Sequence, residues 1–289
     1  MFDLLFVIIS QAIPFIPLAL AIYISFNLLN ATDMTLDGSF VAGAGMFAHC
    51  IDLHISPPIA ALLAISIGIL TGLMVASFQR SQRIDALLAG ILATFILTGL
   101  NLIMMGRPNI SLLNQTTLLS HAFSISEGYG YGVTAIYTGI VCLSVILLLL
   151  SRVGLNLRAF GDNPQQMARY GFNIEKYRMI GFALTNCLAA SAGCLTAQTV
   201  GYADINMGFG VTLTALGAII LGQELFVSVF KKSYLRPVLE FSSCLAGVII
   251  YFASINSLLR MQVDPIYLKI ILGFVLVIFL RTSSRKKLI

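Results

Sequence analysis

Residues Gly154 to Arg178 read GLNLRAFGDNPQQMARYGFNIEKYR, a polar island with apolar sequence on both sides. Its punctuation is that of a short helix. Asp162 or Asn163 suits the N-cap, Pro164 the first helical position, and Gly171 the left-handed stop. The spacing predicts an amphipathic helix over Pro164 to Tyr170. Spans on either side would hold it against one face of a membrane, where it is suited to docking a partner.

Composition around the island settles the class. Hydrophobic residues make up 58% of the chain, charged residues 10%, and mean hydropathy is +0.94, values far from those of a soluble domain. Stretches long enough to cross ~30 Å of hydrocarbon recur along the chain. The polar intervals between them are loop-sized, so residues 1–289 read as one transmembrane domain with the island as its loop 151–178. Asp3 to Leu29 has neither a basic leader nor a small-residue cleavage site before it, and reads as a retained span. Cys50, Cys142, Cys187, Cys194 and Cys244 lack C-x-x-C spacing and are expected to be packing residues, with no disulfide or zinc framework.

The expected fold is an all-α polytopic membrane protein. Nine spans are placed at about 4–29, 38–55, 57–78, 84–105, 131–150, 179–199, 207–223, 237–256 and 265–281. All should be helical, because a closed barrel would need alternating apolar and polar positions. Charge sets the orientation. Arg80 and Arg83, then Arg152, Arg158, Arg169, Lys176 and Arg178, then Lys231, Lys232 and Arg236, and finally Arg281, Arg285, Lys286 and Lys287 share one face if the N-terminus is outside. Arg107, Arg260 and Lys269 fall near the other. By the positive-inside rule the rich face, with the island and the C-terminus, is cytoplasmic. The net charge of +5 reflects that asymmetry and gives no reason to invoke nucleic acid.

Two spans are poor simple helices. The second opens with MTLDGSFVAGAG (Met34–Gly45) and the seventh with DINMGFGVTLTALG (Asp204–Gly217). Each joins an acidic residue to glycines and a short apolar remainder, and on this topology they run in opposite directions. That pairing hints at an inverted repeat with a pathway near its axis. Glycines that simply permit close helix packing give the other reading.

No phosphate-binding loop, H-E-x-x-H or G-x-S-x-G occurs, so neither catalysis nor a cofactor is expected in this polypeptide. His49, Cys50, Asp52 and His54 are of the right types for zinc or copper. Their spacing matches no closed site, however, and a solvated exterior turn without metal is the expectation. His121 is expected to be a loop residue and Arg107 an interfacial anchor of the fourth span. Ionisable groups at membrane depth are functional suspects. Asp37 and Asp204 head the two broken spans, with Ser39, Gln198 and Asn206 nearby, and Glu224 ends the seventh. They either line a path for a hydrophilic solute or cap helices at the headgroup level.

The run Leu157 to Gly210 resembles the membrane permease of bacterial ABC importers, in the branch that holds the branched-chain amino-acid and ribose permeases. That family's loop pattern, R-A-x-G-x-N-P-x-x-A-x-x-x-G-I-N, is matched from Arg158 to Asn173. Phe172 stands where the pattern has isoleucine, and Met167 precedes the matching Ala168. DMTLDGSFVAGA, Asp33 to Ala44, is similar to the D-L-T-V-D-G-S-F pattern of the tryptophan/tyrosine-type transport permeases. The resemblance implies two permease copies, two cytoplasmic ATPases, a substrate-binding protein outside and an amino acid as solute. It also implies that Arg158, Asp162, Asn163, Pro164, Arg169, Gly171 and Glu175 belong to the ATPase-coupling surface. An ion-coupled secondary transporter, with Asp37 and Asp204 as coupling carboxylates, is the alternative; a non-transporting scaffold is a third class.

Overall fold

A computed structural model describes residues 2–31, 33–80, 86–229 and 236–262, together with 267, 270, 273 and 274. The expected ninth span, 265–281, falls almost entirely outside the described residues. So do Arg83, Lys231, Lys232, Lys269, the basic tail, and the side chains of His121 and Glu224.

Among the described residues the fold is all-α apart from one short ribbon. Helix α1 (Phe2–Ile22) widens at its end into a π-helical segment, Tyr23–Leu28, followed by α2 (Leu36–Asp52), α3 (Pro57–Phe78) and α4 (Ala86–Met105). Strand β1 (Asn109–Ser111), α5 (Ser120–Ile125), α6 (Glu127–Leu150), α7 (Arg152–Asp162) and α8 (Pro164–Arg169) come next. Then come α9 (Ile174–Val200), β2 (Tyr202–Asp204), α10 (Val211–Val229) and α11 (Arg236–Arg260). Among the described residues six stretches are long and apolar enough to cross a membrane: Leu5–Leu28, Pro57–Phe78, Leu88–Met105, Glu127–Leu150, Ile174–Val200 and Phe241–Arg260. Helix α2, with 17 residues, reaches only about 25 Å at ~1.5 Å per residue, and α10 has just a short apolar stretch, Val211–Gln223.

Helix α9 is the centre of the bundle. It packs against α1, α2 and α3 through a run of small residues, Ala189, Ala190, Ser191, Ala192 and Gly193, all buried. Lipid is as apolar as leucine, so helices in a bilayer associate through close packing of small residues. Gly193 shows how close: a Cβ there would collide with the Phe40 carbonyl of α2. The opposite surfaces of α4 and α6 are apolar and exposed, with Phe95, Ile103, Ile136 and Ile140 each more than 60% accessible. Such a face suits lipid.

Contacts fix the helix directions. Ser39 meets Asn186 while Gly43 lies against Ala190, so α2 runs parallel to α9. Gln11 bonds Asn256 and Phe15 stacks on Phe252, so α11 is antiparallel to α1. Gly222 faces Ser243 while Ala218 faces Gly247, making α10 antiparallel to α11. Thr138 reaches Ile13 and Tyr131 stacks on Phe6, so α6 is parallel to α1. Since α1 runs toward α7 and α9 runs away from it, α2 and α10 point in opposite directions, as expected.

The two ends of the bundle differ. At one end β1 pairs antiparallel with β2, Ile110 opposite Ala203, and Arg107 forms a 2.9 Å ion pair with Asp52. At the other end the buried Arg178 donates to the Gln79 carbonyl at 2.9 Å and to Glu175 at 3.1 Å, tying α9 to the end of α3.

The expected exterior loop 106–130 holds β1 and α5, with His121 in α5 rather than in a loop, and two further elements differ from expectation. The seventh span starts at Val211, four residues late, because 204–210 is a string of turns: Met207, Phe209 and Val211 donate back to Asp204, Asn206 and Gly208. Within the island, residues 152–162 form a helix of their own, α7. Ser151 caps it by accepting from the Val153 N–H, and Gly154, Leu157 and Phe160 form its buried face.

Candidate functional site

The first place of interest is where α2 and α10 begin. Asp37, in the first turn of α2, accepts the Gly210 N–H at 3.1 Å and the Thr212 N–H at 2.7 Å. It therefore caps α10 rather than its own helix, supplying acceptors to N–H groups that have no intrahelical partner and a negative charge to the positive end of the helix dipole.

Beside this cap lies a buried polar network. Asp33 accepts from the Thr35 N–H at 3.0 Å, from the Thr35 hydroxyl, and from Asn186 Nδ2 at 2.9 Å. Asn186 Oδ1 in turn accepts from Thr35 Oγ1 at 3.1 Å and Ser39 Oγ at 2.6 Å. Ser39 and Thr71 hydroxyls are 2.8 Å apart. From α4, Asn101 donates to the Gly38 carbonyl at 2.9 Å and Thr94 to the Met34 carbonyl at 3.1 Å. Helices α3, α4, α9 and α10 thus all grip the start of α2. Between that start, the π-helical segment and α10 is a small pocket lined by Asp33, Ser25 and Thr212 among apolar side chains.

The second place is the α7–α8 end. Asn163 caps α8, its Oδ1 accepting from Gln166 N–H at 3.0 Å, with Pro164 in the first position. Gly171 ends the turn at φ +82°, which a residue bearing a Cβ adopts only with strain. Asn173 caps α9 in the same way through the Lys176 N–H, at 3.2 Å. Asp162, Asn163 and Arg169 are exposed. Helix α7 is clamped onto the end of the π-helical segment: Asn30 donates to the Gly161 carbonyl at 2.9 Å, and Gly161 lies so close to the Leu28 carbonyl that a Cβ would collide with it. On α7, Nε and Nη2 of Arg158 are buried without a hydrogen-bond partner.

The profile of a family described as branched-chain amino acid transport system / permease component matches residues 4–280. The chain belongs to this family. The permease is 31% identical to the tyrosine transport system permease protein of Clostridioides difficile, covering 96% of this chain and 90% of that one. It is 41% identical, across 99% of its length and all of the relative's, to an uncharacterised protein of Rickettsia prowazekii. The ribose import permease of Escherichia coli is 23% identical over 68% of this chain and 61% of its own. No solved structure matches it.

The permease scatters the residues singled out as a pathway. Asp37 and Ser39 sit together at the start of α2, and Ser39 is fully buried. Asp204 lies at the β-ribbon end, accepting from the Asn206 N–H at 2.8 Å and from Asn109 at 3.1 Å, with Asn206 exposed beside it. Gln198 stays apart, donating to the Cys194 carbonyl at 3.3 Å while its Oε1 is buried without a partner. In the α7–α8 set, Glu175 is committed to Arg178. Of the candidate metal cluster, Asp52 is held by Arg107 and Cys50 is buried. No group of three or more His, Cys, Asp or Glu side chains is placed to hold a metal among the described residues.

Sequence reasoning passed over Asp33, Thr35, Thr71, Asn186 and Thr212. Asp33 and Thr35 lie within the very motif quoted for Asp37, and Asn186 is an amide in the middle of an alanine-rich span, which is a signal in itself. The cap has a direct test. Asp37→Ala should strand the part-buried N–H groups of Gly210 and Thr212 at up to about 1–3 kcal/mol each, lowering the unfolding midpoint in detergent. Asp37→Asn, with one acceptor oxygen, should recover only part of the loss.

Proposed function

We propose that this permease is the membrane subunit of an importer driven by a separate ATPase, and that α7 and α8 form the surface the ATPase grips. The observation that carries the reading is the α7–α8 pair. Its caps, Asn163 among them, fix its shape, and it leaves Asp162 and Arg169 exposed. Nε and Nη2 of Arg158 are buried on α7 without a partner among the described residues, and the clamp at Gly161 connects the pair to α1. For ATP binding elsewhere to move this chain, the ATPase must hold α7–α8 differently in two states of the permease.

The solute we assign is an amino acid, a reading supported by the relative named as a tyrosine permease. The reading includes a substrate-binding protein as donor, a second copy of the chain across the pathway, and cytoplasmic α7–α8 and C-terminus with the N-terminus outside. The ion-coupled alternative gains nothing from the geometry. Both oxygens of Asp37 accept backbone N–H groups, and Asp204 lies at the β-ribbon, accepting from Asn206 and Asn109.

A detergent pull-down of tagged protein with its neighbours co-expressed tests the reading. Recovery of an ATPase, with ATP-dependent amino-acid uptake in liposomes, supports it; recovery of the chain alone, moving solute down an ion gradient, overturns it. Arg158→Ala removes two buried nitrogens that have no partner among the described residues, so it should not lower thermal stability through a lost hydrogen bond at either. It should nevertheless weaken ATPase retention by about tenfold, the worth of one charge-assisted contact.

A further inference from the structure

We propose that the pocket between the π-helical segment, α2 and α10 receives a primary ammonium group, the amino end of the transported solute. This deepens the reading of the chain as an amino-acid permease and rests on it.

Three features of the pocket point to a cationic hydrogen-bond donor. Asp33 lines it, is 5% exposed, and is held only by neutral donors: Thr35, Asn186 and their neighbours. No cation pairs with Asp33 among the described residues; the ion pairs there are Arg107–Asp52 and Arg178–Glu175. A buried carboxylate without a counter-charge is costly in hydrocarbon, and such groups mark solute or ion pathways. Thr212 also lines the pocket, 8% exposed, and its hydroxyl is buried with no partner. Ser25 completes the polar lining; its proton is spent on the Ala31 carbonyl at 2.8 Å, so it can offer only lone pairs. The site is rich in acceptors and poor in donors.

Size then selects the ligand group. The pocket's volume is about 30 Å³, above the ~10–15 Å³ that a water-sized group requires, and far too small for a whole amino acid. An ammonium is of that size, carries three donors and a positive charge, and brings an alkyl stem. Phe26, Leu36 and Leu213 provide apolar walls for the stem. A carboxylate or sugar hydroxyl lacks the charge that Asp33 leaves uncompensated.

The test is thermal unfolding of the detergent-solubilised full chain, with propylammonium chloride as probe and sodium chloride and propanol as controls. Propylammonium should raise the wild-type midpoint while the two controls leave it unchanged. Thr212→Val should abolish the response; it removes an unpartnered buried hydroxyl and so should fold at least as stably as wild type. Thr212→Ser should retain the response. Asp33→Asn, which keeps the shape and an acceptor oxygen, should also lose it. Absence of any wild-type response, or its survival in both Thr212→Val and Asp33→Asn, overturns the proposal. An equal response to sodium makes this a metal-cation site and overturns the ammonium assignment.

In the complete complex, uptake of L-tyrosine should fall in Thr212→Val and recover in Thr212→Ser. The des-amino analogue 3-(4-hydroxyphenyl)propanoate should not compete for wild-type uptake, and competition equal to that of unlabelled tyrosine counts against the site. Should no ATPase be recovered with the chain, the importer reading fails. The propylammonium measurement still decides the pocket, because it needs no partner.

Discussion

Gly193→Val should abolish recovery of folded protein, seen as loss of the monodisperse peak in detergent chromatography. The new Cβ would sit against the Phe40 carbonyl and close to the Ala44 nitrogen of α2. Those are backbone atoms inside a helix, so no side-chain rotation can relieve the clash, and α2 must part from α9. Overpacking that side chains can absorb costs about 1–3 kcal/mol; a displaced helix costs more. It would also pull Ser39 away from Asn186 and Asp37 away from α10, so the α2–α9 and α2–α10 interfaces fail together. Gly139→Val is the control. Gly139 lies inside α6 with nothing within 4 Å of its would-be Cβ, and the same change there should leave the peak intact. Equal damage at both positions would mean that valine harms these helices by propensity, not by contact.

Asn186→Leu should come next in severity. Asn186 is fully buried near the middle of α9, donating to Asp33 and the Phe182 carbonyl at 2.9 Å and accepting from Thr35 and Ser39. Leucine keeps the same number and branching of side-chain heavy atoms, so the main loss is one of polar partners. Asp33 would keep its burial while losing a donor, and two hydroxyls would lose their acceptor. Breaking a buried charged network of this kind costs roughly 3–5 kcal/mol. Combining it with Asp33→Asn should cost less than the sum of the two single changes, because the charge that makes the loss expensive is gone. Strict additivity of the unfolding midpoints would show that Asn186 and Asp33 do not act together.

The parts legible in the sequence were those whose physics is local. Asn163, Pro164 and Gly171 marked helix α8 because an N-cap, a first-turn proline and a left-handed glycine each act within a few residues of themselves. The boundaries of α3 came through intact since Ser56, Pro57 and Pro58 leave little choice of starting point. Helix α7 was legible too, in the spacing of Gly154, Leu157 and Phe160, but the punctuation of the following helix drew the eye past it. What could not be read was pairing at a distance. Asp37 was weighed as a cap of α2, the helix it stands in. Its partners are Gly210 and Thr212, and nothing in the local pattern around Asp37 names a helix start so far along the chain. Asp33 and Asn186 are likewise brought together only by the parallel packing of α2 on α9. The separation of Asp204 from Asp37 has the same origin, as the turns after Asp204 carry the chain from the ribbon down to the start of α2.

The wide turns at the end of α1 bear on how a pull at the α7–α8 end would be felt inside the bundle. Leu29 donates to the Ile24 carbonyl, five residues back, and Ala31 to that of Ser25, six back. An α-helix turns by about 100° per residue, so taking up or releasing one residue of this slack swings every following side chain by more than a quarter turn. Ser25 and Phe26 line the pocket and lie within the slack, while Leu28 and Asn30, just beyond, are gripped by Gly161. On the coupling proposed above, the segment would act as a screw thread between handle and chamber, turning an axial tug at Gly161 into a rotation of the chamber wall.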